Sequence, residues 1–146
     1  MIIDVSDFEV HIAAAQEGPF ARIEDITSHE GTHGSEDSTR TRVFGRADPY
    51  VRAGENTDEY SLDGLYNPDD TNGQNILRDS RDNRTTIYLA VVTDPTPGAE
   101  KGYIQPVICT EYTDSAEADG EYVECSFTLE ANGAKVDISG GLPTGP

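Results

Sequence analysis

The sequence has very little positive charge. Its 146 residues include 10 Lys and Arg against 28 Asp and Glu, which gives a formal net charge of −18, and Lys101 and Lys135 are its only lysines. Specific recognition of DNA or RNA depends on a basic patch that contacts phosphates. The composition therefore argues against a function in specific DNA or RNA recognition.

Long apolar runs are also missing. No run approaches the roughly 18 residues that a membrane-spanning helix needs. Met1 to Asp4 lacks the basic start and the apolar core of a signal peptide, so we expect a protein that is made without crossing a membrane. The length predicts one domain over residues 1–146.

Cysteine and tryptophan are scarce as well. Cys109 and Cys125 are the two cysteines, too few for a disulfide scaffold. If the hairpin described next is symmetrical about residue 117, they face each other across it, either as buried thiols, which a reducing cell favours, or as a disulfide. The chain has no Trp, so the aromatic platforms of a glycosidase cleft are not indicated.

The clearest pattern is a long β-hairpin over Gly102 to Gly133. From Glu121 to Glu130 the residues alternate between an apolar set (Val123, Cys125, Phe127, Leu129) and a polar set (Tyr122, Glu124, Ser126, Thr128, Glu130). Strict period two predicts a strand with one face on a core and one in water. Asp114 to Gly120 is its polar turn.

The remaining elements are predicted from the same kind of pattern. Further strands are expected over Asp7 to Ala13, Phe20 to Thr27, Arg40 to Val51, Glu55 to Tyr66 (joined to the preceding strand around Ala53-Gly54), Thr85 to Thr93 and Ala134 to Ser139. One helix is expected over Thr71 to Asp82, capped by Asp69, Asp70 and Thr71. Residues 28–39 read as a long loop and 140–146 as a C-terminal tail. The fold class is mainly β: a β-sandwich or partly closed barrel of about eight strands with one flanking α-helix.

One motif resembles a metal site. His29-Glu30-Gly31-Thr32-His33 has the H-E-x-x-H pattern of zinc peptidases, in which a helix holds both histidines on Zn²⁺ and the glutamate activates water. Gly31 and the polar neighbours argue against a helix there. A solvated or subunit-contacting loop is the favoured interpretation.

A calcium loop is the other metal candidate. Alignment on Gly73 puts Pro68 where the first carboxylate ligand belongs and Asp79 where a bidentate Glu should be. Capping of the helix explains the Asp70-Thr-Asn-Gly73 cluster better. We assign no catalytic, cofactor-binding or metal-binding residue and no cofactor.

Several segments together resemble the major tail tube proteins of long non-contractile-tailed phages and archaeal viruses. The resemblance covers about Asp7 to Ile138, and its segments are Val43-Phe-Gly45 with Tyr50-Val51, Glu59-Tyr-Ser-Leu62, Tyr66 through Gly73-Gln-Asn-Ile-Leu77, Thr86-Ile-Tyr-Leu89, and the pair Gly102 to Thr113 and Gly120 to Gly133. It implies a tail-tube β-sandwich, six copies per ring, and rings stacked into a conduit for DNA ejection. The loop at 28–39 would take part in stacking.

The resemblance also implies a location and partners. The protein would be a non-enzymatic part of the virion tail, assembled in the host cytoplasm, and would contact itself, a tape measure protein, a tail terminator and distal tail or baseplate proteins. DNA would pass without specific binding, because an acidic bore repels it. Glu24, Asp25 and Glu124 are candidates for that bore. A tail terminator or distal tail protein of the same fold is a close variant.

Two alternatives of other classes stay open at this point. One is an acidic Ca²⁺- or carbohydrate-binding β-sandwich module. The other, more distant, is a small zinc peptidase acting through His29, Glu30 and His33.

The acidic excess leads to a prediction about salt. An excess of acid with almost no lysine is typical of proteins from salt-loving hosts, where dissolved ions screen self-repulsion, although an ordinary acidic domain remains an alternative. We expect the melting temperature to be lower in dilute buffer than in about 1 M KCl, where the Debye length is only about 3 Å. A melting temperature that does not change with salt would contradict the halophilic origin.

Overall fold

The computed structural model describes residues 2–33, 36–41, 50–56 and 58–145, with side chains for 2–33 and 58–145. In order, its strands and helix are β1 Glu9–Ala13, β2 Ala21–Arg22, β3 Ile26–Thr32, β4 Glu36–Thr41, β5 Tyr50–Asn56, β6 Glu59–Leu65, α1 Gln74–Asn83, β7 Ile87–Asp94, β8 Lys101–Ser115, β9 Glu124–Ala131 and β10 Val136–Asp137. A short 3-10 helix at Val5–Asp7 precedes β1. Within these ranges no helix is long and apolar enough to cross a membrane.

The main sheet is antiparallel and contains eight strands. Its order is β2-β1-β7-β8-β9-β6-β3, with β10 beside β8, while β4 and β5 form a separate pair. The two edge strands, β2 and β3, follow each other in the chain, so the sheet curls back towards itself without closing. The predicted fold class, mainly β with one helix, is confirmed.

Strand β8 joins two halves of this sheet. Its residues up to Val107 pair with β7, and its residues from Val107 onward pair with β9. A bulge between Cys109 and Glu111 interrupts the second ladder, and bulges bend the strands that carry them. We call β2, β1, β7, β10 and the start of β8 the first half, and the end of β8 with β9, β6 and β3 the second half.

One hydrophobic core lies between the halves. Val10, Ile12, Leu89 and Val91 come from the first half, and Tyr60, Leu62, Phe127 and Leu129 come from the second; all belong to one buried cluster. Leu77 of α1 is fully buried in the same cluster. The alternation seen in the sequence of β9 is therefore correct from Cys125 onward, because those residues alternate between this core and the outside.

The outer face of the first half is also covered. Ala90, Val92 and Ile104 are buried there, and Ile138 and Leu142 pack against them. The backbone N–H of Gly145 donates to the carbonyl of Glu17 at 2.8 Å. Ile138 and, within the predicted tail, Leu142 thus cover the apolar back of β7, which explains why β7 is apolar on both faces.

The predicted long hairpin is confirmed, but its centre is not. Val107 pairs with Ala131 and Ser115 with Glu124, so the hairpin is centred near residue 119 and not 117. Cys109 therefore lies opposite Leu129, and Cys125 opposite Asp114. Both cysteines are buried free thiols, and burial raises the pKa of the Cys109 thiol to about 11.

The predictions for residues 20–66 need several corrections. The prediction of a long loop over residues 28–39 is wrong, because β3 runs to Thr32 and β4 begins at Glu36. Arg40 to Val51 is not one strand, since Arg40 and Val51 lie opposite each other in the β4–β5 pair. Ala53 and Gly54 lie inside β5, and residues 42–49 are outside the described part of the chain. The strand predicted over Phe20 to Thr27 is interrupted between β2 and β3, where Asp25 adopts a left-handed backbone conformation with a φ of 61°.

A buried amide ties this interruption to the helix. Gln74 is fully buried, and its Nε2 donates to the carbonyl oxygens of Glu24 and Leu65, each at 2.9 Å. Its Oε1 accepts from the backbone N–H of Asn67 at 3.0 Å and from Arg78 Nη2 at 2.7 Å. Gln74 therefore holds together the β2–β3 interruption, the end of β6 and the start of α1.

The helix begins three residues later than predicted. It spans Gln74–Asn83 in place of Thr71 to Asp82. Asp70 still satisfies its start, because its carboxylate accepts from the backbone N–H of Gln74 at 3.0 Å. The same carboxylate oxygen accepts from the N–H of Glu24 at 3.0 Å, so a residue predicted as a local cap also fixes a distant segment.

Replacement of Gln74 by Ala tests this junction. The variant leaves two backbone carbonyls and a backbone N–H, all partly buried, without their partner, so we expect it to lower the free energy of unfolding by roughly 2 kcal/mol. Urea unfolding measures the change. Gln16→Ala, at an exposed position, is the matched control and should change stability by less than about 0.5 kcal/mol. Equal effects in both variants would contradict the role of Gln74.

Candidate functional site

The outer face of the second half differs from every other large face that the structure describes. On β6 the buried residues Tyr60 and Leu62 alternate with outward residues, as do Phe127 and Leu129 on β9. Because cross-strand partners share a face, the register identifies the outward residues across four strands. They are Ser28, Glu30 and Thr32 on β3, Glu59, Ser61 and Asp63 on β6, Glu124, Ser126, Thr128 and Glu130 on β9, and Glu111, Thr113 and Ser115 on β8.

We call this set the acid–hydroxyl face. Apart from Leu65 and Ile108, which the register places opposite Glu124 and Glu130 at its ends, the face contains carboxylate and hydroxyl side chains, so it presents negative charge and hydrogen-bonding groups without a neutralising cation of its own. Glu59 lies directly opposite Glu130, an arrangement of like charges that destabilises an isolated sheet. The face therefore keeps a charge that does not benefit the stability of the single chain.

Two unpaired edges bound the acid–hydroxyl face. In the described ranges β3 pairs with β6 alone, so its other edge has no strand beside it. On β8, the edge that β7 occupies up to Val107 is not followed by another strand over residues 110–115 of the described chain. Unpaired N–H and C=O groups at such edges can bind a further strand.

The three acids suggested for a bore are not equivalent. Glu124 is exposed and belongs to the acid–hydroxyl face at the start of β9. Glu24 and Asp25 do not lie on strands, as the sequence suggested, but in the interruption between β2 and β3. Their carboxylates both accept from Asn67 Nδ2, at 3.3 and 2.9 Å, so they belong to the helix junction.

The H-E-x-x-H residues lie on strand β3 and just beyond its end. Residues four apart on a strand are about 13 Å apart, more than twice their separation on a helix. The Tyr60 ring contacts both histidines, with centroids 6.2 Å from His29 and 5.4 Å from His33. His33 Nδ1 lies 3.1 Å from Asp58 Oδ2. The helical arrangement that the zinc hypothesis requires is thus absent from these residues.

His29 is enclosed by aromatic rings beneath the edge strand. Its ring centroid is 5.1 Å from that of Phe8, and its Nε2 is buried without a hydrogen-bond partner among the described residues. Burial first, and the nearby His33 second, lower the pKa of His29 from its usual 6.5. The neutral imidazole acts here as a core side chain of β3.

The calcium hypothesis is not supported by Asp70. That carboxylate is 7% exposed and accepts two backbone N–H groups, from Glu24 and Gln74. In the described parts of the chain no group of three or more His, Cys, Asp or Glu side chains is arranged to hold a metal ion.

The acid–hydroxyl face was only partly visible in the sequence. The sequence shows the polar set on β9 as an alternating pattern, but it predicts a loop from residue 28 onward, so it does not connect Ser28, Glu30 and Thr32 with that set. Alternation over residues 28–32 is the signal that would have found them, since His29 and Gly31 point inward between them. The glycines and histidines of this segment hid that period.

Solved structures share this fold. A chain of the SPP1 tail tube, from solid-state NMR and cryo-EM, matches with a TM-score of 0.72 and 16% identity over 98% of this chain and 82% of that one. A chain in the tail of an empty gene transfer agent particle, refined with C6 symmetry, gives 0.67 and 12% over 94% and 100%. A chain of the PVC sheath–tube complex of an extracellular contractile injection system gives 0.58 and 17% over 94% and 92%.

These likenesses establish a tail-tube type of fold for this chain. No protein-family model and no curated protein matches its sequence. The fold that the sequence resemblance implied is thereby confirmed at the level of structure.

The buried His29 leads to a prediction about pH. The unfolded chain binds a proton at an imidazole pKa near 6.5, whereas the folded chain binds it only at lower pH, so His29 makes stability fall as the pH drops through 6.5. We expect the loss of unfolding free energy between about pH 7.5 and 5.5 to be smaller in His29→Phe than in the wild type. His11→Gln, a histidine replacement elsewhere, should retain the contribution of His29. An identical pH profile in wild type and His29→Phe would contradict the assignment.

Proposed function

We propose that this protein is a structural, non-enzymatic component of a virion tail tube. Six copies close side by side into a ring, and rings stack into a conduit through which DNA leaves the particle. The whole chain, residues 1–146, acts as a single tail-tube-like domain. The observation that carries the proposal is the acid–hydroxyl face with an unpaired strand edge on each side.

The geometry of these edges suits a ring. The second half has four antiparallel strands, so β3 and β8 run in opposite directions. When copies are related by rotation, β3 of one copy meets β8 of the next in antiparallel orientation, with the acid–hydroxyl faces on the same side. Such a head-to-tail contact generates a ring when the rotation closes, and closure pairs the free edges of β3 and of the end of β8.

Six copies would give an inner barrel of 24 strands, four from each. The number six is supported by the C6 symmetry of the gene transfer agent tail, whose chain shares the fold. A barrel of this size leaves a water-filled channel, since membrane barrels of about 16–18 strands already do so. The acid–hydroxyl face would line that channel.

The chemistry of the lining suits the passage of DNA. DNA has one negative charge per roughly 1.7 Å, and a basic wall would bind it and release counterions. Carboxylates repel the phosphates, while hydroxyls keep the wall hydrated, so no position along the channel holds the DNA. This explains why Glu59 and Glu130 remain opposite each other despite the cost to the single chain.

The wider role follows from the same proposal. In the virion the tube would enclose a tape measure protein and end at a tail terminator and at distal tail or baseplate proteins, after assembly in the host cytoplasm. Solved chains of the same fold occur in an anti-feeding prophage baseplate and in a PVC sheath/tube terminator, so a terminator or distal component remains the close variant. A non-contractile tail and a halophilic host are part of the proposal.

Electron microscopy of the purified protein tests the proposal, and a cysteine introduced into the face tests which surface lines the tube. Glu130→Cys places a thiol on the acid–hydroxyl face, and Asp79→Cys places one at an exposed position of α1. We expect assembled tubes of the Glu130→Cys variant to react with a bulky polymer-linked maleimide at least about tenfold more slowly than tubes of Asp79→Cys, because reactivity follows access to the thiolate. The native Cys109 and Cys125 are buried.

The dissociated protein is the control for this mapping, since the introduced thiols of both variants should then react at similar rates. Equal reactivity of the two variants in the assembled tube would show that the acid–hydroxyl face is not the lining. A protein that stays monomeric at high concentration and high salt would overturn the tail-tube function itself.

A further inference from the structure

Strand β8 contains one residue more than its ladder with β9 needs. Successive pairs of this ladder join Cys109 to Leu129 and Glu111 to Thr128, so Thr110 is the extra residue of a β-bulge. The bulge lies just after the end of the ladder with β7, where the unpaired edge of β8 begins. Since a bulge bends its strand and increases the local twist, the direction of this edge is decided at Thr110.

A serine of the helix holds the bulge. The backbone N–H of Cys109 donates to Ser80 Oγ at 3.1 Å, and the Ser80 hydroxyl donates to the carbonyl of Thr85 at 2.7 Å. Ser80 is fully buried, and a buried hydroxyl costs free energy unless it is hydrogen-bonded. Through these two bonds Ser80 joins the start of the bulge to the C-terminal end of α1.

The bulge also decides which side chains of β8 reach the acid–hydroxyl face. With the bulge, Tyr112 lies opposite Phe127 on the core side, and their ring centroids are 5.0 Å apart. A regular ladder continued from Cys109 would instead place Glu111 opposite Phe127 and turn Tyr112 to the acid–hydroxyl face. Because a buried carboxylate is costly, the side chains of β8 favour the bulge over that slipped ladder.

From this geometry we infer that the bulge at Thr110, held by Ser80, sets the angle between neighbouring copies and thereby the number of copies that close a ring. The inference rests on the proposed function, in which the edge of β8 after the bulge pairs with β3 of the next copy. Every contact in a closed ring turns the next copy by the same angle, so a change in the direction of this edge changes that angle. Ser80 is therefore a positioning residue that acts through the bulge.

Deletion of Thr110 tests the bulge itself. Glu111 then follows Cys109 directly, so the regular ladder keeps Tyr112 opposite Phe127 and each face keeps its side chains. We expect the variant to form rings with a different number of copies, or to need at least about tenfold more protein for assembly, because its edge no longer points at β3 of the next copy. Electron microscopy counts the copies, and Thr110→Ala, which keeps the chain length, should assemble as the wild type does.

Ser80→Ala tests the support of the bulge. In the dissociated protein we expect the Cys109 amide to exchange its hydrogen at least about tenfold faster than in the wild type, because it has lost its acceptor, and we expect the assembly defect of the deletion. Ile76→Val changes a partly buried residue of the same helix and is the control for lost packing. It should lower the melting temperature without changing the number of copies in a ring.

Thermal melting shows which variants fold, and Ser80→Ala decides the question if the deletion does not fold. The inference is overturned if either folded variant closes rings with the wild-type number of copies at the wild-type concentration. Wild-type tubes remain in that case, so the proposed function stands. Failure of the wild type to form rings at all would instead count against the proposed function.

Discussion

The structure depends on how strand β8 is paired. Its first part is bound on one edge by β7, and its last part is bound on the other edge by β9, with Val107 in both ladders. A strand shared in this way brings two half-sheets onto a common core. It also leaves one edge of its last part without a strand in the described chain. The pairing of β8 therefore produces both the single core and the unpaired edge over residues 110–115.

The two halves use their outer faces in opposite ways. Behind β7 the chain places Ala90 and Val92 and covers them with Ile138 and Leu142. On the outer face of β6 and β9 it places acids and hydroxyls, and no part of the described chain covers them. A chain that had to be stable alone would not keep Glu59 opposite Glu130. The arrangement makes sense when this surface belongs to an assembly with its own requirement for charge.

Alternation of apolar and polar residues, with a period of two, was sufficient to predict the strands that contribute strongly to the core. Phe127 and Leu129 on β9, and the apolar stretch around Leu89 on β7, were read correctly because burial alone decides their pattern. The helix was predicted within three residues because Asp70 marks its start. The sequence does not show what the helix holds together, since the contacts of Gln74 with Glu24 and Leu65 join segments that are distant in sequence.

The segment from residue 28 to 56 could not be predicted in the same way. Here His29 takes the place of an aliphatic residue in the core, and Gly31 adjoins the Tyr60 ring so closely that a Cβ there would lie 3.2 Å from Tyr60 Cδ1. Inward positions therefore do not look apolar. The register of the hairpin also failed to follow from symmetry, because β8 runs to Ser115 and β9 begins only at Glu124, so the connection lies later than the turn predicted over Asp114 to Gly120. Tertiary contacts decide both features, and no local pattern encodes them.

The burial of the two thiols has a consequence for the proposed virion tube. Sulfur chemistry with oxygen or peroxide proceeds through the thiolate. Because burial raises its pKa to about 11, the Cys109 thiol is almost entirely protonated at neutral pH. Burial also raises the pKa of Cys125. In the proposed tube, the two buried thiols would therefore react slowly with oxidants and would not form disulfides between neighbouring copies.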